Sequence, residues 1–198
     1  MTDLLASQIQ LQAEADEVFR ALLLDELLGS IGQPYRVGSS AMGLMVRRDI
    51  DITVVCPSLD ARALAAFAAI GARLMQMPAI VGSVRFRNDT GAWNLEPEKY
   101  PDGLYLGLTV RAANGSIWTL DIWLVDQPER QPDLAHLETL LPRLTDAHRM
   151  TILRIKQVLA ARPKDSESVP SALVYEAVVD HGIQTIEQFD RWSLDRAR

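Results

Sequence analysis

Two aspartates, Asp49 and Asp51, stand two positions apart in a run whose residue types are typical of a β-strand. Side chains alternate between the two faces of a strand, so both carboxylates lie on one face and Ile50, Ile52 and Val54 on the other. The apolar face must pack on a core, which leaves the carboxylates on the open side of the sheet. Carboxylates ~4 Å apart repel by on the order of 4 kcal/mol at an effective dielectric constant of 20, which a cation would offset. Oxygen donors of this kind suit Mg²⁺ or Mn²⁺, although the spacing also fits an exposed strand with two solvated acids.

A third acid, Asp121, lies inside the apolar run Ile117–Val125. A lone carboxylate in a central strand is costly unless it is paired or binds a cation. If this strand neighbours the first, Asp121 joins Asp49 and Asp51 in a nest for two metal ions, the arrangement used for in-line phosphoryl transfer. Trp123 shares the face of Asp121, where it either stacks a nucleobase or belongs to the core.

A Gly-Ser pair, Gly38-Ser39, lies at a turn between a short predicted strand and a predicted helix start, and Ser39 precedes Asp49 by ten residues. Backbone N–H groups and a serine hydroxyl at such a turn can hold a phosphate. The sequence therefore places a phosphate-binding turn shortly before the paired carboxylates.

The run from Val37 to Val54 resembles the signature of the DNA polymerase β-like nucleotidyltransferase superfamily. That signature is a Gly-Ser at a strand end, then Asp-x-Asp between apolar residues, and a third acid on a later strand. Ala41 and Gly43 also match the minimal and the antibiotic nucleotidyltransferases, and GrpB-like relatives share a similar pattern. The resemblance implies a mixed sheet with helices on one side, often followed by a helical substrate domain.

The resemblance also implies roles for individual residues. Asp49 and Asp51 would bind both metal ions, and Asp121 would bind the catalytic metal and accept the acceptor's proton. Gly38 and Ser39 would hold the terminal phosphates of a nucleoside triphosphate (NTP).

Basic residues near these motifs are further candidates for nucleotide binding. Many relatives have serine directly before the first aspartate, where this chain has Arg48 after Arg47; the two arginines either meet the triphosphate or are surface charges. The predicted helix Ala147–Ala161 is basic in an otherwise acidic chain. Its Lys156 either contacts phosphate, as basic residues of the following helix do in relatives, or lies on a solvated face. The three histidines receive no role: His136, His148 and His181.

Composition narrows the classes of protein. The chain has 198 residues, 48% of them hydrophobic and 23% charged, which fits a globular protein of one domain or a domain with an appendix. One cysteine excludes a disulfide framework and a cysteine-based zinc site. A net charge of −6 argues against general attraction to nucleic acid. The chain lacks an apolar run of ~18 residues and a secretory signal, so we expect a cytoplasmic protein.

The pattern along the chain predicts an α+β fold with a nucleotidyltransferase-like mixed β-sheet, flanking helices and a C-terminal helical bundle. Residues 2–29 form one helix or two, residues 59–75 form another, and an Asn-Gly turn joins two strands in a hairpin. The predicted strands are Tyr35–Val37, Asp49–Cys56, Val81–Phe86, Ala92–Leu95, Leu104–Arg111 and Ile117–Val125. We divide the chain into a catalytic domain, residues 1–130, and a helical region, residues 131–198.

The leading hypothesis is an enzyme that moves a nucleoside monophosphate from an NTP, ATP being favoured, to a hydroxyl, with Mg²⁺ or alternatively Mn²⁺. The acceptor would be a small molecule, such as an aminoglycoside or a lincosamide, or a protein side chain; a nucleic acid and a membrane are disfavoured. The alternative is a catalytically silent nucleotide-binding or partner-binding module of the same fold, antitoxin-like or a sensor. A purely structural α+β protein would leave three acids in apolar strands unexplained.

Overall fold

The computed structural model describes residues 4–163 and 169–196, which form a five-stranded sheet flanked by helices. The strands are β1 (Gln33–Val37), β2 (Asp49–Val55), β3 (Val81–Asp89), β4 (Gly103–Arg111) and β5 (Ile117–Val125). The helices are α1 (Leu4–Ala21), α2 (Leu24–Gly29), α3 (Gly38–Met42), α4 (Ala61–Met75), α5 (Pro132–Thr139), α6 (Asp146–Ala160), α7 (Ser171–Val179) and α8 (Ile186–Arg196). Short 3₁₀ turns lie at Gly91–Trp93, Pro128–Arg130 and Leu141–Arg143. The predicted α+β class is confirmed.

The sheet has the strand order β1-β2-β5-β4-β3. The two central strands, β2 and β5, run parallel, and the other neighbours are antiparallel. The predicted hairpin joins β4 to β5 through a turn in which Gly115 has a φ of 80°. The parallel central pair places the strand with two aspartates beside the strand with one.

One face of the sheet carries the main hydrophobic core. Ile50, Ile52 and Val54 of β2 are fully buried and cluster with apolar residues of α1, α2 and α4, such as Leu22 and Phe67. The expected burial of this face of β2 is confirmed. The other face of β2 is the one that carries the acids.

A second hydrophobic cluster joins the C-terminal helices to the segment after β1. Met42 and Leu44 pack there with Ile155 of α6, Val178 of α7 and Phe189 of α8. Because residues before 130 contribute to this cluster, the helical region packs directly against the Gly-Ser segment. The predicted division of the chain at residue 130 stays a prediction.

Two local predictions differ from the structure. The segment predicted from residue 2 is described from Leu4 and consists of two helices, because Leu23 adopts a left-handed backbone with a φ of 54°. The predicted strand Ala92–Leu95 is instead part of a 3₁₀ turn and loop, in which Asp102 accepts hydrogen bonds from the Gly91 N–H and the Asn94 side chain. None of the helices in the described ranges is long and apolar enough to cross a membrane.

Candidate active site

The strand register brings the three predicted acids to one face of the sheet. Asp51 of β2 and Asp121 of β5 are direct partners across the parallel pair, so their side chains leave the same face as neighbours. Asp49 pairs with Thr119 and lies two residues along the same face. This face is opposite the one that packs on α1 and α4, as the alternation of acids and apolar residues requires.

The Gly-Ser turn abuts the first of these carboxylates. Val37, the last residue of β1, pairs with Asp51, and Gly38 follows it with a φ of +62°. A Cβ on Gly38 would lie 2.4 Å from Oδ2 of Asp51, so both the backbone conformation and the available space demand glycine. Ser39 is buried, with 5% of its surface exposed. The predicted turn therefore lies against the predicted carboxylates.

Lys156 is buried beside the acids, with 8% of its surface exposed. Its Nζ donates to the carbonyl oxygen of Leu44 at 2.8 Å and to the hydroxyl of Tyr175 at 3.2 Å. Burial lowers the pKa of Lys156 to about 8, although the charges of Asp49 and Asp51 act in the opposite direction. The solvated face considered for Lys156 is thus ruled out, and an ammonium group lies close to two carboxylates.

The two arginines before β2 have separate surroundings. Arg47 lines a small cavity of about 70 Å³ together with Asp49 and Lys156. Arg48 points to the side of α1, where its Nε donates to Glu14 at 3.1 Å. Both arginines lie in the bend that precedes β2. The structure brings Arg47 to the site and does not bring Arg48.

Two residues that sequence reasoning missed belong to this site. The Tyr105 hydroxyl of β4 donates a hydrogen bond to Oδ1 of Asp121. Gly107 leaves room for it, because a Cβ there would lie 2.5 Å from the Tyr105 hydroxyl oxygen. An isolated glycine inside a strand signals such a close approach, and Gly107 is the partner of Asp121 in the register. Asp133, in the first turn of α5, is the second missed residue.

The acids are crowded and only partly compensated by cations. Burial, followed by the negative charges of Asp49, Asp133 and Asp121, raises the pKa of Asp51 to about 7. Burial also raises the pKa of Asp49, against the opposing charges of Lys156 and Arg47. Several carboxylates facing one ammonium are a donor set that fits a divalent cation with a preference for oxygen.

The side chains of the described residues are not arranged as a complete metal-binding site. In residues 4–163 and 169–196, no three His, Cys, Asp or Glu side chains are arranged closely enough to hold a metal ion. One oxygen of Asp121 accepts the hydrogen bond from Tyr105. The register therefore gathers the acids, and the side-chain convergence that the sequence predicted is not reached.

Comparison with known proteins yields matches among solved structures alone. No family model matches the sequence, and no curated protein matches it. A variant of Cid1 poly(U) polymerase bound to MgATP aligns with a TM-score of 0.56 and 17% identity, over 88% of this chain and 52% of that chain. The MgGTP-bound enzyme aligns with a TM-score of 0.51 and 17% identity, over 84% of this chain and 49% of that one.

A third structure, of Cid1 described for its RNA terminal uridylyl transferase activity, has a TM-score of 0.52 and 16% identity over 90% of this chain and 48% of that chain. The present chain thus spans about half the length of these proteins. At these identities the likeness is one of fold. It confirms the predicted fold, a nucleotidyltransferase-like mixed β-sheet with flanking helices.

Proposed function

We propose that this protein transfers a nucleoside monophosphate from an NTP, with ATP as the preferred donor, to a hydroxyl of a small molecule or a protein. The observation that carries the proposal is the pairing of Asp51 with Asp121 on the face of the sheet opposite the main core. Gly38 abuts Asp51, and the charge of Lys156 acts on both Asp49 and Asp51. The shared fold supports a nucleotidyltransferase in general, and the choice of donor and acceptor is part of the proposal.

We assign the triphosphate to the side of the site that holds the cations. Lys156 and Arg47 line the same small cavity as Asp49, and a pKa of about 8 keeps Lys156 largely protonated at neutral pH. Gly38 and Ser39 would add backbone N–H groups and a hydroxyl from the adjoining turn. Arg48 is left out of this assignment because its side chain pairs with Glu14.

We assign metal binding to Asp49, Asp51 and Asp121, whose oxygen donors fit Mg²⁺ and also Mn²⁺. When bound, the ion would neutralise charge that develops on the phosphoryl oxygens during in-line transfer. Asp121 would accept the proton of the attacking hydroxyl. The hydrogen bond from Tyr105 orients that carboxylate from the neighbouring strand.

The acceptor we propose is not a nucleic acid, although the solved relatives include enzymes whose names refer to RNA. A chain with a net charge of −6 is poorly suited to a polyanion. We extend the proposal to a cytoplasmic location, where NTPs and Mg²⁺ are supplied and the buried thiol of Cys56 stays reduced.

Label transfer from ATP tests the proposal. The protein is incubated with [α-³²P]ATP, Mg²⁺ and a cell extract, and the label is followed into small molecules, protein and RNA. We expect label in small molecules or protein, its loss in Asp49→Asn, and its retention in Asp195→Asn, which removes an exposed carboxylate of α8.

Calorimetry of ATP binding with and without Mg²⁺ separates the alternatives. Mg²⁺-dependent binding without label transfer would identify the silent nucleotide-binding module. The absence of any binding would indicate a structural protein, and label in RNA alone would overturn the proposed acceptor class.

A further inference from the structure

A cavity of about 500 Å³ is lined by Asp133 and by Trp123, which lies two residues beyond Asp121 on the same strand, and it has no role in the account so far. Its aromatic residues include Trp93 and Tyr100 from the loop before β4 and Trp123 from β5. Trp93 is 71% exposed, which is unusual for so large an apolar side chain. The volume is in the range of pockets that hold small organic ligands.

The cavity lies on the opposite side of the acids from Lys156. The small cavity with Arg47 and Lys156 is at the start of β2, whereas the large one is lined by Trp123 and Val125 at the end of the parallel β5. The pair formed by Asp51 and Asp121 lies between them. In phosphoryl transfer the attacking and leaving oxygens are roughly in line on opposite sides of phosphorus. With the phosphates on the Lys156 side, the attacking hydroxyl must arrive from the side of the large cavity.

The large cavity is also acidic, which distinguishes it from a phosphate site. Three carboxylates line it, those of Asp89, Glu96 and Asp133, together with a single guanidinium, that of Arg87. Arg87 is already neutralised, since its Nη2 lies 2.8 Å from an oxygen of Asp89. Glu96 is likewise paired, because Nζ of Lys99 lies 3.5 Å from its Oε1. Among the lining carboxylates in the described part of the chain, Asp133 is the one without a lysine or arginine partner. The lining therefore carries one uncompensated carboxylate, that of Asp133, beside aromatic rings.

A cavity that is lined by both aromatic rings and carboxylates favours a cationic ligand. The faces of indole rings attract ammonium groups, and carboxylates add a direct charge interaction. The chain itself shows this preference: the Arg87 guanidinium lies 5.2 Å from the centre of the Trp123 ring and 5.0 Å from that of Tyr105. A polyanion would meet repulsion from the same carboxylates.

We propose that this cavity is the acceptor subsite and that it takes a small hydroxylated compound carrying an ammonium group. The inference rests on the proposed nucleotidyl transfer and narrows its acceptor to one chemical class. It assigns Trp123 to the acceptor rather than to the nucleobase.

A pair of matched probes tests the charge preference. Choline carries a hydroxyl and an ammonium group, and 3,3-dimethylbutan-1-ol is its neutral counterpart of the same shape. Ligand-observed NMR titration without nucleotide should show that choline binds about fivefold or more tightly than the neutral alcohol. Equal binding of the two probes, or no binding of choline, would overturn the proposal.

Variants locate the probe in the cavity. Trp93→Ala and Asp133→Asn should each weaken choline binding about threefold or more. A further test is Glu96→Gln, and its matched control is Glu98→Gln. Both glutamates belong to the same exposed loop, and of the two Glu96 lines the cavity. We expect weaker binding in the first and no change in the second. Equal effects of the two would contradict the location.

A nucleotide separates an acceptor subsite from a nucleobase pocket. An ATP analogue with a non-hydrolysable α,β linkage, added with Mg²⁺, should leave choline bound. Displacement of choline by the analogue would assign the cavity to the nucleotide, and binding of an oligouridylate that Trp93→Ala abolishes would assign it to RNA; either result overturns the proposal. If choline binds and Mg²⁺–ATP does not, the cavity is a cation site and the proposed transferase function fails on its own.

Discussion

The substitution Asp51→Asn is expected to stabilise the metal-free protein above neutral pH. Burial and the charges of Asp49, Asp133 and Asp121 raise the pKa of Asp51 from 3.8 to about 7 in the folded state. Between these two values the unfolded chain loses a proton that the folded protein keeps, so stability falls as the pH rises through this window. Above pH 7 the full cost of the charged carboxylate is present.

The magnitude follows from the two pKa values. Each factor of ten in the acid dissociation constant corresponds to about 1.4 kcal/mol, so the pKa change corresponds to at most about 4 kcal/mol. Because the side chain keeps some contact with solvent, we expect Asp51→Asn to raise the free energy of unfolding by about 2–4 kcal/mol at pH 8. Near pH 4 the two proteins should differ by less than about 1 kcal/mol, because the folded protein keeps the Asp51 proton and the unfolded chain is only partly ionised there.

Urea denaturation in the presence of EDTA measures the free energies of unfolding of the variant and the wild type at pH 8 and at pH 4. The control is Asp195→Asn, which removes an exposed carboxylate and should shift neither. A structural acid paired with a buried cation would behave in the opposite way, because its loss strands a charge and costs ~3–5 kcal/mol. A less stable Asp51→Asn protein at pH 8 would therefore refute the reasoning.

Asp51→Asn should also lose activity, although the metal-free variant is more stable than the wild type. Removing a metal ligand should cost several kcal/mol of transition-state stabilisation, which is a rate loss of about a hundredfold or more. The rise in melting temperature that Mg²⁺ causes should also shrink, since stabilisation by a ligand follows its affinity for the folded state. Wild-type turnover in the variant would show that Asp51 is not part of the active site.

Three further substitutions test other parts of the site. Lys156→Met should weaken Mg²⁺–ATP binding about tenfold or more in calorimetry, because hydrogen bonds to charged groups are strong. It should also abolish the decline in affinity expected for the wild type as the pH rises above about 8, the pKa of Lys156; unchanged affinity would contradict its assignment to phosphate. Tyr105→Phe removes the donor to Asp121 and should lower the free energy of unfolding by about 1–3 kcal/mol in urea denaturation without metal. Equal stability of this variant and the wild type would show that the bond contributes nothing. The Thr53 hydroxyl is buried without a hydrogen-bond partner in the described residues, so Thr53→Val should stabilise the protein by about 1 kcal/mol in the same assay, and a loss of stability would reveal a partner.

The parts of the site that sequence predicted are those set by local patterns. The alternation around Asp49 and Asp51 decides which face is buried, whatever the rest of the fold does. The Gly38 turn likewise follows from a backbone conformation that few other residues adopt. The pairing of Asp51 with Asp121 joins strands far apart in sequence. The cost of a lone carboxylate in an apolar strand and the motif resemblance both pointed to it, but no local pattern did.

The parts that sequence missed depend on long side chains and on contacts between distant elements. Tyr105 reaches Asp121 only because Gly107 clears its path, and no periodic pattern encodes that reach. Arg48 stands beside Asp49 in the chain, yet its partner is a glutamate of α1. The apolar residues around Trp93 resemble a strand in composition, although they are exposed in a loop that lines a cavity. Apolar composition alone cannot distinguish a β-strand from an exposed loop that lines a cavity.

A crystal structure with Mn²⁺ and a non-hydrolysable ATP analogue tests the central claim most directly, because the anomalous signal of the metal identifies its position. The account predicts Mn²⁺ bound by Asp49 and Asp51, Asp121 turned to join them, and the terminal phosphates on the side of Lys156. Metal and nucleotide bound away from these carboxylates, or no metal at all beside Asp51, would contradict it.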